Sequence, residues 1–311
     1  MRVLFGLLLL TLPLFAQTKE ICVTIDDLPV VGGDRNDLPF QRAVTRDLLK
    51  ALTKYRVPAI GFVNESKLYT NGTPDSNKVA LLQQWLDKGM ELGNHTYLHK
   101  DYNSVSFAEM AEDVEKGERT VSQLLESRGR RLQYFRQPFL HRGNSKGKVD
   151  SLAAFLSARG YTEAPVTIDN GDWIYAAAYL KAWTAGDSVR MKLIGLDYVI
   201  YMEKKLMYYE AQSKKLFGYK VKQTLLIHAS RLNADFFESL AQMLKRHRYK
   251  FVPLSVALAD TAYRSADTFY RNGGISWLDR WALTAGKKGQ FFKDEPTVPK
   301  MIMNAAGVES E

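Results

Sequence analysis

The 311-residue chain contains a single cysteine, Cys22, so it has no means of forming an internal disulfide. Cys22 lies in the apolar run 21–23, which predicts a small buried core residue. The chain also lacks a glycine- or proline-rich linker and an internal repeat, so nothing divides its central part into separate units. With 46% hydrophobic residues, it has enough apolar side chains for a large core, which excludes a mainly disordered protein.

Long hydrophobic runs are absent except at the N-terminus. Residues 1–16 begin with one basic residue, Arg2, continue as a leucine-rich run and end in small or polar residues near Gln17. This is the layout of a secretory signal peptide, and the run is short for a membrane span. A buried strand or an uncleaved anchor is the alternative. We expect an exported protein of the periplasm and cell envelope, or a secreted one, with no transmembrane anchor after signal cleavage. The lack of disulfides favours the bacterial envelope.

The formal net charge is +9, and removing residues 1–16 leaves about +8 because only Arg2 is lost. No run of basic residues alternates with aromatic ones, so we predict no nucleic-acid partner. A basic exported protein suits anionic envelope polymers. An ordinary solvated basic surface is the alternative.

Short strand-like runs alternate with helical patterns, which predicts an α/β protein with mostly parallel strands. Strands are predicted at 21–25, 59–63, 91–94, 132–135, 161–168, 224–227 and 251–252. Helices are predicted at 40–55, from the capping residue Ser76 to Gly89, from the Ser106 and Glu109 capping box to Gly129, and at 152–158, 188–217 and 236–247.

We therefore predict a distorted (β/α) barrel of about seven parallel strands, with an open doubly wound sheet as the alternative. No G-x-G-x-x-G sequence follows the first strand, which argues against dinucleotide binding. The predicted divisions are a signal peptide over 1–16, a barrel domain over 17–260 with a long helical insert at 174–223, and a C-terminal extension over 261–311. The insert's helical apolar spacing favours a role in covering the barrel.

Polar residues fall directly after the predicted strands. Parallel barrels place the carboxyl ends of their strands on one face, so these side chains are expected to converge there. They are Asp26, Asp27, His95, His99, Arg136, Asp169, Asp172 and His228.

His95 and His99 have a spacing that lets both imidazoles reach one metal ion. With five histidines in the chain, two ordinary hydrogen-bonded histidines are the alternative. A carboxylate from Asp26 or Asp27 would complete the site and leave the other carboxylate free as a base for an acidified water. Equally, paired aspartates occur as turn residues. His228 is either a core histidine or a general acid.

Five ordered motifs give these residues their strongest interpretation. They are Thr24-Ile25-Asp26-Asp27, His95-Thr96-x-x-His99, Arg136-Gln137-Pro138-Phe139, Asp169-Asn170-Gly171-Asp172-Trp173 and Leu226-Ile227-His228. Together, over residues 20–260, they resemble the motifs of the polysaccharide deacetylase family, carbohydrate esterase family 4.

The resemblance implies a hydrolase of carbon–nitrogen bonds other than peptide bonds, which removes acetyl groups, most often N-acetyl, from a carbohydrate. The resemblance also implies one bound divalent metal ion, for which zinc is the first choice and cobalt or another divalent ion is the alternative. A water on the metal is the nucleophile. The implied metal ligands are Asp27, His95 and His99. Asp26 is the implied base, held by Arg136, and His228 is the implied acid, tuned by Asp172. The Phe139 backbone N–H is the implied oxyanion donor, and Trp173 and Leu226 are implied to line the acetyl pocket.

Two positions depart from the family's pattern. Lys100 stands where many members have proline, and Leu140 replaces a common glycine, so the oxyanion backbone and the shape of the groove are expected to differ from the family's. His141, which follows, is a further candidate for contact with substrate. Three other functions stay open. They are hydrolysis of a non-sugar amide, a non-haem iron oxygenase, whose ligands are also two histidines and a carboxylate, and a non-catalytic glycan-binding protein. The adjacent aspartates and His228 favour hydrolysis over oxygenation.

Overall fold

The computed structural model describes residues 18–33 and 36–311, so the predicted signal segment 1–16 lies outside the described residues. The strands are β1 (Lys19–Leu28), β2 (Ile60–Val63), β3 (Tyr69–Thr70), β4 (Thr73–Pro74), β5 (Glu91–Asn94), β6 (Tyr134–Phe135), β7 (Thr162–Glu163), β8 (Gln223–His228) and β9 (Tyr249–Phe251). The helices are α1 (Leu38–Lys54), α2 (Ser76–Asp87), α3 (Phe107–Lys116), α4 (Arg119–Glu126), α5 (Lys146–Ala158), α6 (Asp172–Thr184), α7 (Ser188–Phe217), α8 (Arg231–Arg246), α9 (Leu254–Leu258), α10 (Trp277–Thr284) and α11 (Lys300–Ala306).

The main sheet is parallel throughout and runs in the order β7-β6-β5-β2-β1-β8, with β9 paired to the start of β1. The sheet curls so far that the chain soon after β7, at one edge, reaches β8 at the opposite edge. There Ile168 forms a parallel bridge with Leu225 of β8. The predicted distorted (β/α) barrel is therefore confirmed, and the carboxyl ends of its strands share one face. The β3–β4 pair forms a small antiparallel hairpin outside it.

The core explains the mainly apolar run 21–25 in the middle of β1. Its residues are buried on both faces of the sheet, as parallel strands covered by helices require. Ile21, Val23 and Ile25 belong to the large cluster under the helices. Cys22 packs with Ile60 in a second cluster and is fully buried, which confirms its predicted place in the core.

Two helix predictions need correction. The capping box at Ser106 and Glu109 is confirmed, but the predicted single helix that follows is two, α3 and α4, broken at Gly117. A Cβ at Gly117 would lie 2.5 Å from the carbonyl carbon of Thr96, so this backbone packs against the loop that follows β5. Helix α2 is capped by the Asp75 side chain, which accepts the Asn77 N–H at 2.9 Å, and Ser76 is its first residue.

The long helix α7 matches the predicted segment 188–217 and ends at Gly218, whose φ of 82° provides a left-handed cap. Its inner face joins the main core through buried tyrosines, as expected of a covering element. Its outer face is different, since it leaves large apolar side chains in solvent: Val189, Leu193, Leu196, Ile200 and Met207.

The C-terminal extension packs tightly on the barrel. Trp277 and Trp281 join the main core, and the Trp277 N–H donates to the carbonyl of Val166 at 2.7 Å. Helix α11 packs along α6. The division into a barrel over 17–260 and an extension over 261–311 stays a prediction. Among the described residues, no helix combines the length and apolarity needed to cross a bilayer.

Candidate metal centre

Three side chains meet at the carboxyl ends of β1 and β5. One ligand atom each from Asp27, His95 and His99 lies within 4.8 Å of the other two, the one such metal-ligand group in the described ranges. Asp27 Oδ1 lies 3.8 Å from His95 Nε2 and 3.6 Å from His99 Nε2. This brings together the predicted ligands and leaves Asp26 beside them.

The donor set suits a divalent metal ion. Asp27 Oδ1 is buried without a hydrogen-bond partner, an arrangement that is costly unless a cation takes the place of water. His95 Nδ1 is 2.8 Å from the Arg136 carbonyl, which fixes the tautomer with Nδ1 protonated and leaves Nε2 for the metal. Two imidazoles and one carboxylate are a zinc-type set with open positions for water and substrate.

The charges agree with this ligand set. Burial lowers the pKa of His95 and of His99 to about 4, so both imidazoles are neutral at physiological pH, as metal ligation requires. Burial alone would raise the pKa of Asp27. The Lys67 ammonium, 3.7 Å from Asp27 Oδ1, and the neighbouring histidines hold that pKa well below its usual range. Asp27 is therefore an anion.

Backbone strain is concentrated at this face. Nine non-glycine residues in the described ranges have positive φ. Four of the nine belong to the candidate motifs, and Leu140 (57°) directly follows the third motif: Asp27 (69°), Thr96 (65°), His99 (58°) and Phe139 (56°) are the four. Such conformations cost about 1 kcal/mol or more each and persist where surrounding contacts enforce them, most often at functional sites.

Three buried polar residues hold the loop that carries the histidines. Asn94 Oδ1 accepts the Thr96 N–H at 2.7 Å, and Asn64 Nδ2 donates to the His95 carbonyl at 2.7 Å. The Asp113 carboxylate accepts the Leu98 N–H at 3.0 Å. These three residues and Lys67 were not among the site residues that the sequence patterns predicted. Asp113 had a signal, because it is a charged position beside Met110 and Val114 on the buried stripe of α3.

Asp26 and Arg136 form a buried ion pair beside the metal ligands. Arg136 is fully buried, and its Nη1 donates to Asp26 Oδ1 at 3.0 Å and to Thr24 Oγ1 at 2.7 Å. The other oxygen, Asp26 Oδ2, lies 3.7 Å from His95 Nε2. Burial raises the pKa of Asp26 to about 6, although the Arg136 charge opposes the rise. The two adjacent carboxylates therefore differ strongly in basicity.

Asp172 and His228 form the second charged pair. Asp172 Oδ1 lies 2.7 Å from His228 Nδ1, and its Oδ2 accepts the His228 N–H at 2.7 Å. Burial works against the imidazolium, but the Asp172 charge and hydrogen bond raise the pKa of His228 to about 9. Asn233 Nδ2 donates to Asp172 Oδ2 at 2.9 Å, and its Oδ1 accepts the Tyr198 hydroxyl at 2.7 Å, so α7 supports this pair.

Of the remaining predicted residues, Phe139 contacts a candidate metal ligand, and Trp173 and Leu226 lie on α6 and β8, the elements that carry the Asp172–His228 pair. The Phe139 ring lies 4.5 Å from the His99 ring, centroid to centroid, and its side chain is 53% exposed. Trp173 is the second residue of α6, directly after Asp172, and its side chain is 43% exposed. Leu226 is buried and pairs in register with Thr24. His141 is held by Asp101, with Nδ1 and Oδ1 2.6 Å apart, near the Phe139 ring.

Asp169 does not join the cluster, although it also follows a strand-like run. Burial raises the pKa of its carboxyl group to about 7, and its charged neighbours are Lys205, Glu295 and Glu311. These three residues come from α7 and the C-terminal extension. Asp169 therefore belongs to the packing of those elements on the barrel.

The comparisons with known proteins point to one family. A polysaccharide deacetylase family model matches residues 16–155. The chitooligosaccharide deacetylase of Bradyrhizobium sp. (strain ANU 289) is 32% identical over 104 residues, which span 33% of this chain but only 39% of that protein.

The solved structures agree on the fold. The peptidoglycan deacetylase PdaC from Bacillus subtilis is 19% identical with a TM-score of 0.51, over 78% of this chain and 91% of that one. The family 4 pseudoenzyme BA3943 from Bacillus anthracis is 15% identical with a TM-score of 0.51, over 78% of this chain and 66% of that one. At these identities the likeness shows the fold alone. Residues 16–155 match the model of the polysaccharide deacetylase family, the family whose motifs the sequence resembles.

Proposed function

We propose that this protein is a metal-dependent hydrolase that removes N-acetyl groups from an envelope or extracellular carbohydrate. One observation carries the proposal. The metal-ligand triad of Asp27, His95 and His99 lies beside Asp26 of the Asp26–Arg136 pair, and Asp26 stands in register with His228 of the Asp172–His228 pair. A carboxylate base and an imidazolium acid near one metal site are the groups that metal-assisted amide hydrolysis needs.

Asp27, His95 and His99 would hold the ion, for which zinc is our first choice and cobalt or another divalent ion the alternative. An ion held there would supply Lewis-acid chemistry, which polarises an acetyl carbonyl and acidifies a water molecule. The chain's own contribution is to fix the ligands. His95 is oriented by the Arg136 carbonyl, and Asp27 is kept ionised by Lys67.

Asp26 acts as the general base. Arg136 and Thr24 fix its orientation, and its Oδ2 atom faces the metal ligands, where it accepts a proton from the attacking water. A pKa of about 6 is close to the working pH, which is where a general base is most effective. Arg136 keeps the carboxylate ionised despite its burial, since it neutralises the charge.

His228 acts as the general acid. Asp172 holds the proton on Nδ1, so Nε2 is the nitrogen that donates to the departing amine. Because its pKa is raised to about 9, the imidazole is protonated at neutral pH and ready to donate. The Phe139 backbone N–H stabilises the developing oxyanion, and Trp173 and Leu226 line the acetyl pocket.

The family resemblance and the proposed location support the proposed substrate class. The related chitooligosaccharide deacetylase and the peptidoglycan deacetylase of the same fold bear names that concern acetylated glycans. We propose that residues 1–16 direct export and that the substrate is a glycan of the envelope or the extracellular space.

A non-catalytic glycan-binding role is the second candidate, because a pseudoenzyme shares this fold. Against it, both charged pairs are hydrogen-bonded and the three candidate metal ligands lie together. Acetate release from chitin oligomers, peptidoglycan fragments, acetylated xylan and a non-sugar acetamide tests both candidates. We expect release from at least one N-acetylated glycan, its loss with a chelator and its recovery with zinc. Glycan binding without acetate release under any metal would decide for the second candidate.

A further inference from the structure

The C-terminal extension reaches the turn that carries the proposed oxyanion donor. Gly274 lies directly on the main chain of Phe139, and a Cβ at Gly274 would be only 1.7 Å from the Phe139 carbonyl oxygen. It would also be 3.1 Å from Leu140 Cβ. Only glycine allows two backbones to approach so closely. The two contacting segments are 135 residues apart in sequence, so the contact belongs to the tertiary fold.

The turn needs such support because it is strained. Phe139 and Leu140 both have positive φ in succession, a conformation that costs each side chain about 1 kcal/mol or more. Within the turn, the Leu140 N–H donates to the Gln137 carbonyl at 3.1 Å and the His141 N–H to the Pro138 carbonyl at 3.0 Å. Two short-range hydrogen bonds are a weak restraint on a strained and partly exposed turn.

A charge cluster fixes the extension to the end of the turn. Arg142 binds the Glu163 carboxylate with two nitrogens, at 2.9 and 2.6 Å, and donates to Asp267 Oδ2 at 3.1 Å. Arg280 Nε donates to the same Asp267 oxygen at 2.8 Å. Arg142 and Arg280 are nearly buried, so the cluster is far better fixed than exposed ion pairs are.

The start of α10 anchors the other end of this segment. Ser276 Oγ donates to the Thr167 carbonyl at 2.8 Å, and the neighbouring Trp277 N–H binds the Val166 carbonyl. Residues 267–274 therefore run between two fixed points, with Gly274 pressed on the turn. Asn272 adds a contact, since its Oδ1 accepts the Asn144 side-chain N–H at 2.9 Å.

We propose that residues 267–274 of the C-terminal extension are part of the active-site structure and that Gly274 is a positioning residue for the Phe139 backbone N–H. This inference rests on the proposed function, because it assigns the turn to the oxyanion of the acetyl group. The extension holds the N–H in place, while the metal ligands and the groups that hold substrate stay unchanged. Its effect is therefore specific to the transition state.

The test compares Gly274→Ala with two other variants in the full-length, zinc-loaded protein. The new methyl group displaces the turn, so we expect kcat for N-deacetylation to fall about 10- to 100-fold, with KM and zinc content unchanged. Asp267→Asn releases the charge cluster and is expected to lower kcat less, by roughly 3- to 10-fold. Gly147→Ala is the matched control, because a Cβ there has nothing within 4 Å, and it should behave as wild type.

A second readout needs no activity. Hydrogen exchange of the Leu140 and His141 amides should quicken in Gly274→Ala and Asp267→Asn, while amides of β1 and β8 keep their protection. If Gly274→Ala fails to fold, Asp267→Asn decides. Wild-type kcat together with unchanged exchange in a folded variant would overturn the inference. If the wild-type protein releases no acetate, the proposed function fails, and the exchange rates still decide whether the extension holds the turn.

Discussion

The Asp172–His228 pair offers the most quantitative prediction. Asp172→Asn keeps the size of the side chain but removes the negative charge that raises the pKa of His228 to about 9. Without it, burial lowers that pKa against only the smaller opposing effect of the Asp27 and Asp26 charges, so we expect a value near the ordinary value of about 6.5. The imidazole would then lose its proton within the physiological range instead of above it.

The size of the effect follows from these two pKa values. At pH 8 a group with a pKa of about 9 is roughly 90% protonated, whereas one with a pKa of about 6.5 is roughly 3% protonated. Because only the protonated imidazole can donate to the amine, deacetylation at pH 8 should fall about 30-fold or more. At pH 5.5 both forms are almost fully protonated, so the rates should lie much closer together.

The assay is acetate release between pH 5.5 and 9.5, combined with an NMR titration of the His228 imidazole. We expect the alkaline limb of the profile to move from near pH 9 towards pH 6.5. The same shift has a stability consequence. The folded-state pKa exceeds the unfolded one, so the pair stabilises the wild type below about pH 6.5 and loses that contribution as the pH rises through 9. Asp150→Asn, on the exposed side of α5, is the control. An unchanged alkaline limb in a folded Asp172→Asn variant would refute the assigned role of His228.

Three further predictions concern the metal, the buried arginine and export. Elemental analysis should find roughly one zinc ion per molecule in the wild type, and His95→Ala or His99→Ala should lose most of it. Full zinc occupancy in both variants would overturn the ligand assignment. Arg136→Gln leaves the Asp26 carboxylate buried without its cation, so we expect the free energy of unfolding to fall by about 3–5 kcal/mol. Denaturant unfolding measures this, and an unchanged midpoint would show that the ion pair contributes little to stability. Mass spectrometry of envelope material should find the mature N-terminus at or near Gln17, and recovery of intact Met1 would count against cleavage.

The sequence predicted the parts of the fold that leave a local pattern. Buried parallel strands appear as short apolar runs, and the polar residues that follow them mark the carboxyl ends of the barrel. The aspartate pair, His95 and His99 were found in this way, the family resemblance chose Asp27 over Asp26 as the ligand, and the structure brings Asp27 together with the two histidines. The same rule overreached at Asp169, because position after a strand does not decide to which side a carboxylate turns.

What the sequence did not predict depends on contacts between distant segments. Gly117 breaks the predicted helix because its backbone packs against Thr96, and an isolated glycine in a helical pattern does not signal such a contact. Lys67 next to Asp27 and Gly274 on Phe139 leave no periodic signal at all. The extension was set apart from the barrel pattern for this reason, although its residues reach the proposed oxyanion turn.

The central claim is that Asp26 moves protons while Asp27 holds the metal. The most direct test measures acetate release from N-acetylglucosamine oligomers and zinc content together, in wild type and in Asp26→Asn. The variant removes the basicity of a side chain that the structure places beside the ligands but outside the triad. We predict zinc close to one ion per molecule in both proteins and a rate that is lower in the variant by a factor on the order of 10²–10⁴. Loss of zinc in Asp26→Asn, or a rate equal to that of the wild type with zinc retained, would contradict the account.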